Sequence, residues 1–159
     1  MSTITLRLAG PDDAVALNTA LRALSRDLGD PHRATDTRMA AALAPGGPCR
    51  AILAQQGDRL IGAALFSPLF STARGSAGAY VSDLWIDAEL RGGGLGQTLL
   101  AAVRDVAARD WRADFLRLSV YASNPRARAF YDRLGFAPAT DEHTLTLDGA
   151  ALAALKGEP

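Results

Sequence analysis

The sequence predicts an α/β protein with a mixed central sheet flanked by helices. Some apolar residues alternate with polar ones, as in half-buried strands, and others recur at helical spacing. The two kinds of run succeed each other along the chain, as in layered α/β proteins. The 159 residues, 48% of them hydrophobic, suffice for one core. Since no Pro-, Gly- or Ser-rich linker divides them, we expect one domain over residues 1–159.

The first half of the chain predicts a strand, two helices and a hairpin. Ile4, Leu6 and Leu8 alternate with polar residues in "TITLRLA", and "AVALNTALRALSRDL" has helical spacing. A second short helix, "TRMAAALA", ends at "PGGP". Two apolar runs then flank Gly57-Asp58, which is a hairpin signal.

The second half predicts three strands, two main helices and a tail helix. "YVSDLWI", "FLRLSVYA" and "HTLTLDG" have strand patterns, and a helix follows the glycines after the first of them. "NPRARAFYDRLGF" predicts a helix with Asn124 as cap, Pro125 at its first position and Gly135 at its end. "AALAALKG" predicts the tail helix. The expected order is β-α-α-β-β-β-α-β-α-β.

Charge and cysteine content exclude several classes of protein. Lys plus Arg and Asp plus Glu both number 17, so we expect neither a nucleic-acid partner nor an anionic membrane surface. Cys49 is the single cysteine, so no intramolecular disulfide can form, as suits a reducing compartment. The N-terminus lacks a signal-peptide core and no apolar run is long enough to span a bilayer. We therefore expect a cytoplasmic protein.

The stretch "RGGGLGQT", residues 91–98, links a strand to a helix and is typical of a phosphate-binding turn. Glycines let backbone N–H groups approach phosphate oxygens without a Cβ between them. A nucleoside-triphosphate loop would continue Gly-Lys, but Gln97 follows Gly96. A dinucleotide fingerprint would need a third glycine spacing and an early place in the chain. The pattern Arg-x-x-Gly-x-Gly fits Arg91, Gly94 and Gly96.

This strand-loop-helix resembles that of the GNAT acetyltransferase superfamily. "SNPRARAFYDRLGF" resembles the second signature of that family, through Asn124, Ala127, Tyr131 and the pair Gly135-Phe136. The two signatures stand in the right order with a strand between them, and the likeness covers nearly the whole chain. The resemblance implies the GNAT acyl-CoA N-acyltransferase fold and acetyl-CoA as the donor, with no metal ion.

The resemblance also implies the roles of particular residues. The glycine loop and the helix start would hold the pyrophosphate of acetyl-CoA, and Tyr131 would protonate the thiolate as it leaves, since a phenol is protonated at neutral pH. Asn124 would contact the cofactor as well as cap its helix. Backbone N–H groups on the preceding strand would bind the pantetheine and the thioester oxygen. The expected cofactor-binding residues are Leu84, Trp85, Ile86, Arg91, Gly92, Gly93, Gly94, Leu95, Gly96, Gln97, Asn124 and Tyr131.

Within the superfamily the sequence is most similar to diamine acetyltransferases of the spermidine/spermine type and their thialysine-acetylating relatives. "GAALFSPLFSTARGSAGAYVSDLWI" and "HTLTLDGAALAAL" carry this likeness. Those enzymes tend to have a Glu-Asp pair where this chain has Ser82-Asp83. Asp83 is the candidate base, but it could equally order waters or be a structural acid. His32 is expected to be an exposed loop residue rather than a base.

These observations predict an N-acetyltransferase in which the amine attacks the thioester directly. The expected acceptor is a primary amine, polyamine-like or a lysine analogue. The alternatives are a protein or peptide lysine acetyltransferase, an antibiotic-amine acetyltransferase, or a non-catalytic acetyl-CoA sensor. The loss of the glutamate at Ser82 favours the sensor, whereas Tyr131 and the glycine loop favour an enzyme. The resemblance also implies a homodimer.

Overall fold

The computed structural model describes residues 3–157, so the four terminal residues of the predicted domain lie outside the described chain. The chain divides into two compact units, Met1–Val120 and Tyr121–Pro159. The assignment of residues 1–159 to a single domain stays a prediction.

The first unit contains a five-stranded sheet with its strands in sequence order, β1-β2-β3-β4-β5. Neighbouring strands are antiparallel from β1 to β4, and β5 joins β4 in parallel, so the predicted mixed sheet is confirmed. The strands are β1 (Ile4–Leu8), β2 (Arg50–Gln56), β3 (Arg59–Ser71), β4 (Ser76–Ile86) and β5 (Phe115–Leu118).

The predicted helices are also present. The first unit has α1 (Ala14–Leu28), α2 (Asp36–Leu43) and α3 (Leu95–Trp111), and the second unit has α4 (Pro125–Arg133) and the short α5 (Gly149–Ala153). Thr35 caps α2, since its side chain accepts from the Arg38 N–H group.

Helices cover both faces of the sheet. On one face, a buried cluster joins α1 and α2 to β2 and β3 through residues such as Leu17, Met39 and Leu53. On the other face, Phe66 of β3 meets the Trp111 ring of α3, with the ring centroids 5.8 Å apart. Because alternate residues of a strand point to opposite faces, the apolar runs of β2 and β3 supply both cores.

Strand β4 changes its pairing at a bulge. Asp83 lies opposite Leu65 and Val81 lies opposite Phe66, so Ser82 is the extra residue between them. The parallel pairing with β5 covers only Gly78–Val81 of β4. Within the described chain, the β5-side edge of β4 therefore has no strand partner beyond Val81.

Two strand predictions differ from the structure. The run "FLRLSVYA" forms a strand only as far as Leu118, because β4 bulges at Ser82 and offers no further partner. The run "HTLTLDG", residues 143–149, forms no strand in the described chain. Its Leu145 is 88% exposed and Leu147 is 49% exposed. An alternating pattern without a neighbouring ladder does not hold a strand.

Candidate functional site

The glycine loop leads from the end of β4 into α3. Gly92 and Gly94 have φ of +83° and +84°, the left-handed region that favours glycine, whereas Gly93 has no positive φ. Gly94 is the N-cap of α3, and no side chain caps this helix within the described residues. The first α3 amides, Leu95 to Gln97, precede the first bond of the helix, from the Thr98 N–H group to the Gly94 carbonyl oxygen. The helix start therefore presents donors suited to an anion.

Arg91 joins this loop to two other elements. Its Nε donates to the Ile86 carbonyl oxygen of β4 at 3.1 Å. Its Nη2 lies 2.6 Å from the Asp27 carboxylate of α1, and both side chains are partly exposed. The guanidinium therefore lies at the end of β4, where an anion bound by the loop would compete with Asp27 for it.

Three β4 residues, Leu84, Trp85 and Ile86, are predicted to bind the cofactor through backbone N–H groups. Two of these groups face the open edge of β4. The Asp87 N–H group donates to the Ile61 carbonyl oxygen, so the backbone polar groups of Asp87 face β3. Backbone groups alternate in direction along a strand, so those of Trp85 also face β3. The N–H groups of Leu84 and Ile86 face the opposite, open edge, in agreement with the Arg91 bond to the Ile86 carbonyl.

Asp83 lies on the face covered by α1 and α2. Trp85, two residues further along β4, packs against the cluster of that face, and residues two apart point to the same side. Burial raises the pKa of the Asp83 carboxyl, and the charge of Asp30 raises it further. A hydrogen bond from Ser82 and the charge of His32 oppose the rise. A carboxyl with a raised pKa is a better base near neutral pH than an ordinary one.

His32 lies in the loop between α1 and α2, as predicted, but it is half-buried, so the prediction that it is exposed is wrong. Its Nε2 lies 2.7 Å from Asn18 Oδ1, and its Nδ1 lies 3.0 Å from Ser25 Oγ. Asn18 is completely buried in α1. The signal that sequence reasoning missed is this polar residue on the apolar face of a predicted helix, since a buried amide needs partners.

In the second unit, the structure confirms the cap of α4. Asn124 Oδ1 accepts from the Ala127 N–H group at 3.1 Å, and the helix begins at Pro125. Tyr131 of α4 packs between aromatic rings, with centroids 5.1 Å from Phe130 and 5.5 Å from Phe136. Burial raises the pKa of the Tyr131 phenol above its ordinary value of about 10, so the phenol carries its proton at neutral pH.

Neither a metal-binding cluster nor a membrane-spanning helix occurs among the described residues. No group of three or more His, Cys, Asp or Glu side chains there is placed to hold a metal ion. None of the helices in residues 3–157 is long and apolar enough to cross a membrane.

Comparison with known proteins identifies the family. A protein-family model described as "Acetyltransferase (GNAT) family" matches residues 17–136 of this chain. Thialysine N-epsilon-acetyltransferase from Bos taurus is 32% identical over 118 residues, which cover 72% of this chain and 64% of that protein. The chain thus spans less than two thirds of this curated relative.

Solved structures share the fold. An integron cassette protein from V. cholerae matches with a TM-score of 0.77 at 21% identity, covering 96% of both chains. An Arthrobacter protein described as an acetyltransferase matches with a TM-score of 0.71 at 26% identity, covering 94% of this chain and 97% of that one. The chain therefore belongs to the GNAT acetyltransferase family.

Proposed function

We propose that the protein transfers the acetyl group of acetyl-CoA to a primary amine on a small polyamine-like or lysine-analogue acceptor. One observation carries the proposal. β4 loses its strand partner on one edge directly before a glycine loop and an uncapped helix start. This arrangement offers N–H donors both to a thioester and to a pyrophosphate.

On the donor side, the pyrophosphate binds the amides of the glycine loop and of the first turn of α3, residues 92–97. Negative charge is favoured at a helix N-terminus, and Arg91 adds a charge-assisted bond. The N–H groups of Leu84 and Ile86 bind the pantetheine and the thioester oxygen. A donor aimed at that oxygen stabilises the charge that develops on it during attack. Asn124 is a further cofactor contact in this proposal, by its place in the second signature.

On the acceptor side, the cationic amine is attracted by the carboxylates on the α1–α2 face of the sheet. Asp83 lies there, in the field of Asp30. A site with negative charge concentrates a cationic substrate. Thialysine, named as the substrate of the Bos taurus relative, is a lysine analogue of this charge type.

The reaction is a direct transfer. The neutral amine nitrogen attacks the thioester carbonyl carbon, so a C–N bond forms and the C–S bond breaks. Asp83 accepts the proton that the amine loses, directly or through a water. Tyr131 gives its proton to the departing thiolate, and this role rests on its place in the second signature and on its protonated phenol.

The test is thiol release from acetyl-CoA with a panel of amines. The panel contains diamines, spermidine, thialysine, lysine, an aminoglycoside and a lysine-bearing peptide. Rapid release with a diamine, spermidine, thialysine or lysine supports the proposal. Release with only the aminoglycoside or the peptide points to an alternative acceptor. Tight acetyl-CoA binding without release from any amine favours a sensor.

We also propose that the protein is a cytoplasmic homodimer. The single cysteine, Cys49, suits a reducing compartment. Apolar side chains of the last described residues are exposed, a feature of surfaces that meet another chain. They are Leu145, Leu147, Leu152 and Leu155.

A further inference from the structure

Two arginines contact one aromatic ring at the start of β5. Arg74 Cζ lies 4.8 Å from the centroid of the Phe115 ring, and Arg117 Cζ lies 5.7 Å from it. Both arginines are exposed, and none of the ion pairs of the described chain involves either of them. Asp114, next to the ring in the chain, accepts from the Ser76 hydroxyl at 2.7 Å. The ring therefore holds two positive charges that are open to an anion.

The residues of β4 on both sides of its bulge share one face of the sheet. Val81 lies opposite Phe66, whose ring meets α3, so the Val81 side chain also points toward α3. Tyr80, the preceding residue, therefore points to the opposite face. That face is the one that carries Asp83, so Asp83 and Tyr80 follow each other on it across the bulge at Ser82.

Strand β5 continues this row of side chains. Arg117 lies opposite Tyr80 in the parallel pairing, so the two side chains point to the same face, and Phe115, two residues earlier, shares it. The 3.2 Å hydrogen bond between Tyr80 Oη and Ser119 Oγ agrees with this placement. The Asp83 carboxyl and the two guanidiniums therefore lie at opposite ends of one row.

The length of this row suits a small amino acid with an amine at the end of its side chain. Phe115 lies opposite Gly78, which is five positions before Asp83, one of them the extra residue of the bulge. At about 3.3 Å per residue, roughly 13–16 Å separates the Asp83 carboxyl from the guanidiniums at the ring. An extended lysine spans about 7 Å from its side-chain nitrogen to its carboxylate. Ion pairs of about 3–4 Å at both ends bring the total to about 14 Å.

We propose that Arg117 and Arg74 bind the α-carboxylate of an acceptor amino acid whose side-chain amine lies at Asp83. This inference rests on the proposed function, and it names the acceptor as a lysine-type amino acid rather than a polyamine. A planar guanidinium binds a carboxylate through two parallel hydrogen bonds. A polyamine would instead place a second cation against the two arginines, which disfavours it through like-charge repulsion.

The experiment is a calorimetric titration of the full chain with lysine, thialysine and cadaverine, in the presence of CoA, which has no acetyl group to transfer. Cadaverine is lysine without its carboxylate. We expect cadaverine to bind at least about tenfold more weakly than lysine or thialysine, since it lacks the charge-assisted bonds. Arg117→Gln is expected to raise the Kd for lysine and for thialysine at least about tenfold. The same substitution leaves the Kd for cadaverine unchanged or lower.

Three further variants separate the geometry of the guanidinium from its charge. Arg117→Lys keeps the charge but not the two parallel bonds, so its Kd for lysine falls between those of the wild type and Arg117→Gln. Arg74→Gln raises the Kd for lysine by a smaller factor, about threefold, because Arg117 remains on the ring. Arg22→Gln is the matched control, since it removes an exposed arginine of α1. Its Kd for lysine stays within about twofold of the wild type.

Equal Kd values for lysine and cadaverine in the wild type overturn the inference, and so does an absence of binding by both lysine and thialysine. An unchanged lysine Kd in Arg117→Gln also overturns it, as does an equal loss in Arg22→Gln, which would reflect net charge alone. The titration needs no turnover, so thiol release tests the proposed function separately. Carboxylate-dependent binding without release from any amine would contradict the proposed transfer and still support the carboxylate subsite.

Discussion

At the residue scale, the proposed acid role of Tyr131 can be separated from its packing role by removing the phenol oxygen. Tyr131→Phe keeps the aromatic contacts with Phe130 and Phe136 but lacks the proton for the thiolate. We expect kcat to fall by roughly a hundredfold or more, as for loss of a general acid, with little change in the Kd for acetyl-CoA. Stopped-flow thiol release and calorimetric binding measure the two quantities. Tyr121→Phe is the control, and an unchanged kcat in Tyr131→Phe would remove the role.

Within the glycine loop, a substitution of Gly93 tests phosphate binding more sharply than one at Gly92 or Gly94, which have left-handed backbone. A side chain at position 94 is strained by the φ of +84° whatever space surrounds it. A substitution of Gly94 therefore changes folding stability as well as binding. Gly93 has no positive φ, and a Cβ there would lie 3.4 Å from the Leu90 carbonyl oxygen. We expect Gly93→Ala to fold normally and to weaken acetyl-CoA binding at least about tenfold, since the methyl group keeps phosphate from the bare backbone.

The two substitutions are compared by thermal unfolding and by acetyl-CoA titration. Gly94→Ala is expected to lower the Tm, at a strain cost of about 1 kcal/mol. Gly93→Ala is expected to leave the Tm within a degree or two of the wild type. Wild-type affinity in Gly93→Ala would show that the phosphate does not approach at this residue.

The sequence predicts residues whose role is local and misses those whose role depends on a distant partner. The Asn124 cap and the Gly135 helix end follow from neighbours a few positions away, and both were predictable. His32 instead takes its place from Asn18, 14 positions earlier in the chain. The residue types and their spacing around His32 do not indicate this contact.

At the element scale, the ion pair between Asp27 and Arg91 links α1 to the glycine loop. An exposed pair contributes between 0 and about 1 kcal/mol, so breaking it changes folding little. Asp27→Asn frees the guanidinium for the pyrophosphate, and we expect the KM for acetyl-CoA to fall by up to about fivefold. Asp12→Asn, at another exposed carboxylate, is expected to leave the KM unchanged. A higher KM in Asp27→Asn would mean that Asp27 instead holds Arg91 in its binding position.

Elements with local signals were predicted better than strands with remote partners. Helices α1 and α3 follow from periodicity within one stretch of chain, and the β2–β3 hairpin follows from the turn Gly57-Asp58. The ends of β5 and the missing strand at residues 143–149 depend on whether a neighbour offers a free edge. Pairing of that kind joins distant parts of the chain, so no local pattern determines it.

At the scale of the whole molecule, stability is expected to fall in acid. A hydrogen bond from Arg109, with help from Arg50, lowers the pKa of Asp110 to about 2, below its unfolded value of 3.8. A depressed carboxyl pKa stabilises the fold above the unfolded value, and this contribution is lost as pH falls through the folded value. The Tm of the wild type should therefore drop between about pH 5 and pH 2, and Asp110→Asn should show a shallower drop. Parallel Tm curves for the two proteins would contradict this.

Exposed apolar residues near the end of the described chain make its oligomeric state testable. Leu145 and Leu147 are exposed, although their alternation is that of a strand with one apolar face. If this segment pairs with a second copy, sedimentation equilibrium at micromolar concentration gives twice the mass of one chain. The double variant Leu145→Ser, Leu147→Ser then sediments as a monomer, because the buried apolar area is lost. Val15→Ser, at an α1 residue that is 61% exposed, is the control and keeps the dimer mass. A wild type that sediments as a monomer would contradict the homodimer proposal. The proposed acetyl transfer would then take place within a single chain.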